Sequence, residues 1–283
     1  MSFHKKPATF VENVHLKVEN LDRSLKFYQT ILGFDILERT SESAKLTTDG
    51  ETSILSLEQP SDVIPKQGRT SGLYHFAILL PSKTDLANFV VHLAQNQIPI
   101  GSSDHQVSLA LYFNDPDGNG IEVYCDRDAN EWTWQGDQVV MTVDPLDFDD
   151  LLKHATSTTA WQGMPKDTVM GHIHLHVSEI KLAEEFYVKG LGFKVVTRYG
   201  GQAIFLSTAD YHHHIGVNVW NGVGAPTPPE NSVGLSSYTL NYPDEGARQE
   251  AINRLKELGA QVKESSNQWV TKDPSGNRII LAV

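Results

Sequence analysis

The chain has 283 residues, of which 40% are hydrophobic and 20% charged, as is typical of a globular protein with one large domain or two medium ones. Its formal net charge of −12 disfavours binding to nucleic-acid phosphates. The single cysteine, Cys125, excludes an intramolecular disulfide, and no apolar run has the length of a signal-peptide core or a membrane span. We therefore expect a cytoplasmic protein that binds neither nucleic acid nor membrane.

The first predicted elements recur in the second half of the chain. Residues 14–34, VHLKVENLDRSLKFYQTILGF, match residues 173–193, IHLHVSEIKLAEEFYVKGLGF. The spacing of apolar residues predicts a strand and then a helix with Phe-Tyr on its apolar face, ended by a glycine. Further strands are predicted at 35–42, 44–48 and 53–58, and at 194–199, 203–207 and 215–220. Each copy is therefore a βαβββ module.

Each half of the chain contains a second copy of the module after the first. One has a predicted strand at 74–80 and a helix at 83–96, and the other a strand at 236–242 and a helix at 245–259, each followed by strands. An Asp-Pro-x-Gly-Asn sequence occurs in both, at 115–119 and 273–277. Aspartate, proline and glycine suit a tight turn between strands, so the match indicates a shared structure and not a shared composition.

The four modules predict an α+β protein built from two tandem halves. The N-terminal half covers residues 1–126, with modules at about 10–60 and 72–126. The C-terminal half covers residues 169–283, with modules at about 170–221 and 233–283. Residues 127–168 form the linker, in which a short helix is predicted at 146–154.

Comparison of the modules singles out three residues that could bind a metal ion. The residue fourteen positions before the helix phenylalanine is Asn13, His75 or His172 in modules one to three, and the corresponding residue of module four is Ser237. On the last strand, module two has Glu122 where module four has Ile280. The candidate metal ligands are therefore His75, Glu122 and His172.

Paired βαβββ modules with this turn resemble the vicinal oxygen chelate superfamily, which includes glyoxalase I, fosfomycin and bleomycin resistance proteins and type I extradiol dioxygenases. The segments GHIHLHV at 171–177, HHHIG at 212–216 and LYFNDPDGNGIEVY at 111–124 are most similar to catechol 2,3-dioxygenases. The resemblance covers nearly the whole chain outside the linker. It implies a fold in which pairs of modules form curved-sheet cups.

The chain departs from many members of this family, which place two histidines and a glutamate in modules three and four. Here module four has Ser237 and Ile280 at the two corresponding positions. We therefore expect modules two and three to share one metal-binding cup, and modules one and four to form a metal-free cup. The alternative is that modules one and two pair, with Asn13 or His15 as the third ligand.

The resemblance also implies a cofactor and a reaction. Two histidines and a carboxylate would hold Fe(II), with Mn(II) as an alternative, for the extradiol cleavage of catechol or a small substituted catechol by O2. His213 would be the acid/base residue, while Tyr112 and His105 would hydrogen-bond the substrate oxygens. His105 lies two residues closer to Tyr112 than the family pattern predicts. His174 and His176 share a strand face with His172 and either line the cup or only pack.

Several alternatives remain open at this stage. His212 and His214 would point away from His213 on a regular strand, so which of the three faces the metal is undecided. A second hypothesis is that the protein is a glyoxalase-like metal-dependent lyase or isomerase, whose sites usually need a fourth protein ligand. A third hypothesis is that it is a metal-free, ligand-sequestering protein of the resistance type. Because relatives often associate, the protein could also form a homo-oligomer.

Overall fold

The computed structural model describes residues 3–156 and 161–283 and contains the four expected modules. Module one consists of β1 (Phe10–Lys17), α1 (Leu21–Phe27), β2 (Asp35–Arg39), β3 (Ser43–Thr47) and β4 (Ser53–Glu58). Module two consists of β5 (Gly72–Leu79), α2 (Lys83–Gln95), β6 (Gly101–Asp104), β7 (Ser108–Asn114) and β8 (Gly120–Asp126). The linker contains β9 (Trp134–Gln135), β10 (Gln138–Val139) and α3 (Phe148–Leu152).

The second half repeats this order. Module three consists of β11 (Val169–His176), α4 (Ile180–Glu185), β12 (Lys194–Tyr199), β13 (Ala203–Ser207) and β14 (Ile215–Asn218). Module four consists of β15 (Gly234–Asn241), α5 (Glu245–Glu257), β16 (Val262–Ser265), β17 (Gln268–Lys272) and β18 (Arg278–Ala282). The order confirms the predicted α+β class.

The element ends differ from the predictions by a few residues. The predicted linker helix at 146–154 is shorter, at Phe148–Leu152, and the β9–β10 hairpin was not predicted. The first helix of modules one and three ends in a π-helical turn, at Tyr28–Leu32 and Phe186–Gly190. Gly33 follows the first of these turns with a φ of 85°, a left-handed conformation that suits glycine, as the sequence predicts.

The modules pair across the two halves of the chain. One eight-stranded sheet, the two–three sheet, has the order β12-β13-β14-β11-β5-β8-β7-β6. The other, the one–four sheet, has the order β16-β17-β18-β15-β1-β4-β3-β2. The central strands of each sheet, β5 with β11 and β1 with β15, run antiparallel. The prediction that modules two and three share a sheet is confirmed, and the alternative pairing of modules one and two is wrong.

One continuous apolar core lies between the two curved sheets and their helices. It contains alternate residues of the central strands, such as Val14 and Leu16 of β1 and Ile173 and Leu175 of β11, which are fully buried. Because side chains alternate along a strand, the residues between them lie on the opposite, cup-forming face of each sheet. No helix among the described residues is long and apolar enough to cross a membrane.

The repeated Asp-Pro-x-Gly-Asn sequence forms the turn before the last strand of modules two and four. In the first copy, one carboxylate oxygen of Asp115 accepts hydrogen bonds from the backbone N–H groups of Asp117 at 2.9 Å and Asn119 at 2.8 Å. The Asn119 side chain donates to the other oxygen at 2.9 Å. Asp273 makes the same bonds in the second copy. These closed turns fix where β8 and β18 begin.

Candidate metal centre

His75, Glu122 and His172 meet on three neighbouring strands, β5, β8 and β11, of the two–three sheet. The Nε2 atoms of His75 and His172 lie 3.0 and 3.1 Å from the same Glu122 oxygen, Oε2, and 3.4 Å from each other. All three residues are buried, with exposed fractions of 7%, 3% and 1% for His75, Glu122 and His172. The three side chains come from both halves of the chain, so neither half contains the whole cluster.

The spacing of these three atoms suits a divalent cation. Ligand atoms about 2.1 Å from one ion and at right angles to each other are about 3.0 Å apart, which is close to each edge of this triangle. Two imidazoles and a carboxylate are ligands that iron, manganese and zinc accept. These three are the candidate metal-binding cluster found among residues 3–156 and 161–283.

The protonation states of the cluster also suit a cation. Burial alone would raise the pKa of Glu122, but His172 and His75 bring that pKa well below its usual value. Burial lowers the pKa of His172 to about 4, against the opposing effect of the Glu122 charge. Near neutral pH the cluster therefore contains a carboxylate and a neutral His172, and these are the forms that bind metal ions.

Tyr112 and His105 lie beside this cluster and contact each other. Tyr112 is the cross-strand neighbour of Glu122, and its ring centroid is 5.7 Å from that of His75. Its hydroxyl is 2.6 Å from His105 Nε2, while His105 Nδ1 is 2.5 Å from the carbonyl oxygen of Thr142. A carbonyl can only accept, so His105 Nδ1 carries the proton and its Nε2 accepts from Tyr112 when the ring is neutral.

Burial and the charge of Glu122 raise the pKa of Tyr112 well above its usual value. The phenol therefore stays protonated near neutral pH, and in this structure it donates its proton to His105. Thr142 belongs to the linker, which the sequence did not connect with the site. The structure thus brings His105, Tyr112 and the candidate ligands together despite the short spacing of the two residues in the chain.

The three consecutive histidines before β14 point in different directions. The ring of His213 packs against His172 with a centroid distance of 4.0 Å. His212 Nε2 is 2.8 Å from Asp126, and His214 Nε2 is 3.0 Å from the carbonyl oxygen of Phe3. Of the three, His213 packs most closely against a candidate ligand, His172, since the ring of His212 is 6.4 Å away. Which ring faces a bound metal stays a prediction.

His174 and His176 lie on the cup face with His172, as strand alternation predicts. The rings of both contact Tyr74, at centroid distances of 5.0 and 5.1 Å. Both also interact with the amide of Asn218, at 2.9 Å from His174 and 2.7 Å from His176. They therefore line the cup and are held in place by a polar neighbour.

Tyr74 and Trp220 are cup residues that sequence reasoning missed. Their rings are 5.2 Å apart, and Trp220 is 5.4 Å from His174. Strict alternation places Tyr74 opposite His75, but the β5–β11 register shifts by one residue at this point, which is a β-bulge. The bulge lets both side chains face the cup. Tyr74 and Trp220 are 40% and 42% exposed, so they mark the open side of the site.

Gly216 occupies the position on β14 that corresponds to Glu122 on β8. It pairs in register with His174, and a Cβ atom there would lie 2.9 Å from His174 Cγ. Real Cβ atoms do not approach this closely, so a glutamate at this position would displace His174. The described structure thus has no room for a second carboxylate ligand opposite Glu122.

The cup of the one–four sheet has different residues at the matching positions. Asn13 donates to the carbonyl oxygen of Ser53 at 3.1 Å, and His15 Nε2 lies 3.6 Å from Glu58. Ser237, Ile280 and His15 line a cavity of about 1480 Å³ that also reaches Tyr74 and His176 of the two–three sheet. Asn13 and His15 therefore lie on β1 of the one–four sheet and are not part of the described cluster of His75, Glu122 and His172.

Comparison with known proteins agrees with this architecture. The profile of the Glyoxalase/Bleomycin resistance protein/Dioxygenase superfamily matches residues 11–123 and 169–281. Catechol-2,3-dioxygenase of Bacillus subtilis is 43% identical over 280 residues, which are 97% of each chain. Biphenyl-2,3-diol 1,2-dioxygenase 3 of Rhodococcus globerulus is 31% identical over 117 residues, covering 40% of this chain and 62% of its own.

Solved structures match over nearly the whole chain. A Bacillus subtilis crystal structure assigned as a dioxygenase has a TM-score of 0.65 at 13% identity and covers 98% of this chain and 86% of its own. Glyoxalase I of Zea mays has a TM-score of 0.58 at 16% identity and covers 96% and 92%. At these identities the likeness shows a shared fold. Both matched segments and the full-length relative lead to one conclusion: the chain belongs to the glyoxalase/bleomycin resistance protein/dioxygenase superfamily.

Proposed function

We propose that this protein is an extradiol dioxygenase that cleaves catechol, or a small substituted catechol, with O2. The observation that carries the proposal is the buried His75–Glu122–His172 cluster with Tyr112 and His213 beside it. The 43% identity to a catechol-2,3-dioxygenase over 97% of the chain supports the same reaction. In this reaction both oxygen atoms of O2 are added to the substrate, and the ring opens at the carbon–carbon bond next to the diol.

His75, Glu122 and His172 would hold the metal, for which we propose Fe(II), with Mn(II) as the alternative. When bound, Fe(II) supplies the redox chemistry through which dioxygen reacts with an aromatic diol. These three residues would supply only three ligand atoms, so a metal held there could also bind the substrate and dioxygen. One carboxylate and two imidazoles, which bind metals in the neutral form, would leave a net charge of +1 with Fe(II), which would favour an anionic diol.

Tyr112 and His105 are placed to handle the diol. The Tyr112 hydroxyl, whose high pKa keeps it protonated, has one proton, which it gives to His105 in this structure and can turn toward a negatively charged diol oxygen. His105 holds that hydroxyl at 2.6 Å and is itself held by the carbonyl of Thr142 at 2.5 Å. The pair therefore holds the phenol oxygen in place, and only a rotation of the O–H bond is needed for the proton to reach the substrate.

His213 lies on another side of the cluster and is suited to accept or donate a proton. Burial lowers its pKa well below the usual value, so it is neutral near neutral pH. It has an exposed fraction of 8% and packs against Phe205 as well as His172, at 5.0 and 4.0 Å between ring centroids. A neutral histidine in a nearly water-free site can take a proton from the diol and return it to a product oxygen.

The open side of the cup suits a flat aromatic ring. Tyr74, Trp220 and His174 form an aromatic wall there, with ring centroids 5.0 to 5.4 Å apart. Aromatic side chains at these distances contribute both apolar surface and edge contacts to a bound ring. This aromatic wall could pack against the ring of a catechol, which supports the proposed substrate class.

Two other functions are less well supported. A glyoxalase-like lyase or isomerase usually needs a further protein ligand, and Gly216 against His174 leaves no space for a carboxylate in the corresponding position. A ligand-sequestering protein needs no metal, whereas His75 and His172 both direct nitrogen atoms at one buried Glu122 oxygen. Metal analysis of the purified protein separates the second alternative from the dioxygenase.

The direct test is oxygen uptake by anaerobically purified, iron-loaded protein. With catechol we expect one O2 consumed per catechol and a yellow ring-opened product. The Glu122→Ala variant is the matched control and should give neither. A panel of substituted catechols and hydroquinones defines the substrate. If the loaded protein consumes no oxygen with any member of the panel, the proposed function is wrong.

A further inference from the structure

His213 begins a chain of polar contacts that leads away from the candidate metal centre. Its Nδ1 atom is 2.8 Å from Nδ1 of His212. Nε2 of His212 is in turn 2.8 Å from Oδ1 of Asp126, the last residue of β8. None of the described residues forms a hydrogen bond with Nε2 of His213. This chain of hydrogen bonds therefore uses Nδ1 of His213 and leaves Nε2 free.

The chemistry of the last group sets the position of each proton. A carboxylate can only accept, so the contact between Asp126 and His212 requires a proton on His212 Nε2. In a neutral imidazole the other nitrogen is then an acceptor, so His212 Nδ1 accepts from His213 Nδ1. His213 must carry its proton on Nδ1, and its Nε2 is left with a lone pair.

The surroundings hold this chain in one arrangement. His212 is fully buried, and its ring packs on Tyr211 at 4.0 Å and on Trp132 at 5.2 Å between centroids. Tyr211 also donates a 3.2 Å hydrogen bond to the same Asp126 oxygen. The Asp126 side chain is 23% exposed and that of His212 is not exposed, so the carboxylate lies at the edge of the site and His212 inside it.

We propose that Asp126 and His212 are positioning residues that fix His213 as the Nδ1–H tautomer, with the lone pair of Nε2 free to accept a proton from the diol. This role rests on the proposed dioxygenase function, but the tautomer itself does not. Among the described contacts, neither residue forms a hydrogen bond with a candidate ligand. This order of protons requires a carboxylate at position 126. A carboxylate can only accept a hydrogen bond from His212, whereas an amide could accept through its oxygen or donate through its nitrogen.

The tautomers are tested directly by long-range ¹H–¹⁵N NMR on protein with labelled histidine, both metal-free and loaded with diamagnetic Zn(II). In the wild type we expect a proton on Nδ1 of His213 and on Nε2 of His212. In Asp126→Asn the amide can donate to His212, so this single arrangement should give way to a mixture or to its reverse. Asp126→Glu should restore it. His154→Asn, a change at an exposed histidine of the linker, should leave it unchanged.

Kinetics supply the second readout. Asp126→Asn should lower kcat about 10- to 100-fold, the usual effect of losing a group that orients a reacting histidine, with KM and iron content unchanged. A wild-type His213 with its proton on Nε2 would overturn the proposal, as would wild-type kcat in Asp126→Asn. If the protein proves to have no dioxygenase activity, the proposed function fails, while the NMR result still decides the tautomer.

Discussion

The hydroxyl of Tyr28 donates a 2.8 Å hydrogen bond to the carboxylate of Asp115, which lies 87 residues later in the turn before β8. Tyr187 makes the equivalent bond to Asp273, at 3.0 Å, between modules three and four. The two motifs that recur in the sequence, Phe-Tyr on a helix and Asp-Pro-x-Gly-Asn in a turn, are therefore bonded to each other. Because modules one and two lie in different sheets, each bond ties one sheet to the other.

Removing this hydroxyl should destabilise the fold. Tyr28→Phe leaves a buried oxygen of Asp115 without one of its donors, and we expect a loss of about 1–3 kcal/mol in the free energy of unfolding. Chemical denaturation followed by circular dichroism measures it. Tyr199→Phe is the control, since Tyr199 is 54% exposed, and it should change nothing. Equal stabilities of the two variants would show that the Tyr28–Asp115 hydrogen bond does not stabilise the fold.

The candidate ligands should be distinguishable from their counterparts in the other cup. His75→Ala, Glu122→Ala and His172→Ala should each abolish iron retention, because each removes one of three ligand atoms.

Asn13→Ala and Ser237→Ala are the matched controls, as they alter the corresponding positions of the one–four sheet. Both should retain iron at the wild-type ratio when metal content is measured after gel filtration. Loss of metal in Ser237→Ala would show that the metal site has been placed in the wrong cup.

The Tyr112 hydroxyl should matter for catalysis and not for metal binding. Tyr112→Phe removes the donor that His105 holds at 2.6 Å, and we expect kcat/KM for catechol to fall about a hundredfold. Iron content should stay at the wild-type level. Tyr74→Phe keeps the aromatic wall and should have a small effect. A Tyr112→Phe enzyme with full activity would remove Tyr112 from the proposed mechanism.

Gly216 should resist even the smallest enlargement. Gly216→Ala brings a Cβ to 2.9 Å from His174, and forcing that contact should cost about 1–3 kcal/mol. Gly101→Ala, in β6 of the same sheet, is the control, since its Cβ would meet no atom closer than 3.7 Å. Thermal unfolding of the two variants makes the comparison, and an unchanged Gly216→Ala would mean that His174 can move aside.

The metal-free protein should lose stability as the pH falls below about 6.5, the usual pKa of histidine. Burial lowers the pKa of His214 well below that value and that of His172 to about 4. The unfolded chain then binds protons that the folded chain does not, so the free energy of unfolding decreases through this range, down to about pH 4 for His172.

Unfolding midpoints between pH 7.5 and 4.5 measure this effect. His214→Asn should flatten the dependence, whereas His154→Asn, an exposed site, should leave it as in the wild type. A midpoint independent of pH would contradict the assignment of these histidines as buried and neutral.

Local patterns in the sequence were sufficient for the module count and for most of the element positions. Strand and helix periods depend on neighbouring residues, and the turn at 115–119 makes its bonds within five residues. The repeat also identified the candidate ligands. His75 and His172 occupy the same position on the first strand of their modules, and Glu122 lies on the last strand, where copies of one module keep the same strand faces. The sequence by itself therefore determined the four βαβββ modules and the candidate ligands.

Only the tertiary structure decided how these parts combine. The pairing of β5 with β11 joins strands about 100 residues apart; the positions of the candidate ligands favoured it, but a pairing within one half stayed open until the strands were seen in register. The bulge that turns Tyr74 into the cup, the contact of Thr142 with His105 and the choice of His213 among three histidines all depend on packing between distant segments. A one-residue shift in register reverses the face of every following side chain, so residues that complete the site are fixed only when the sheets have formed.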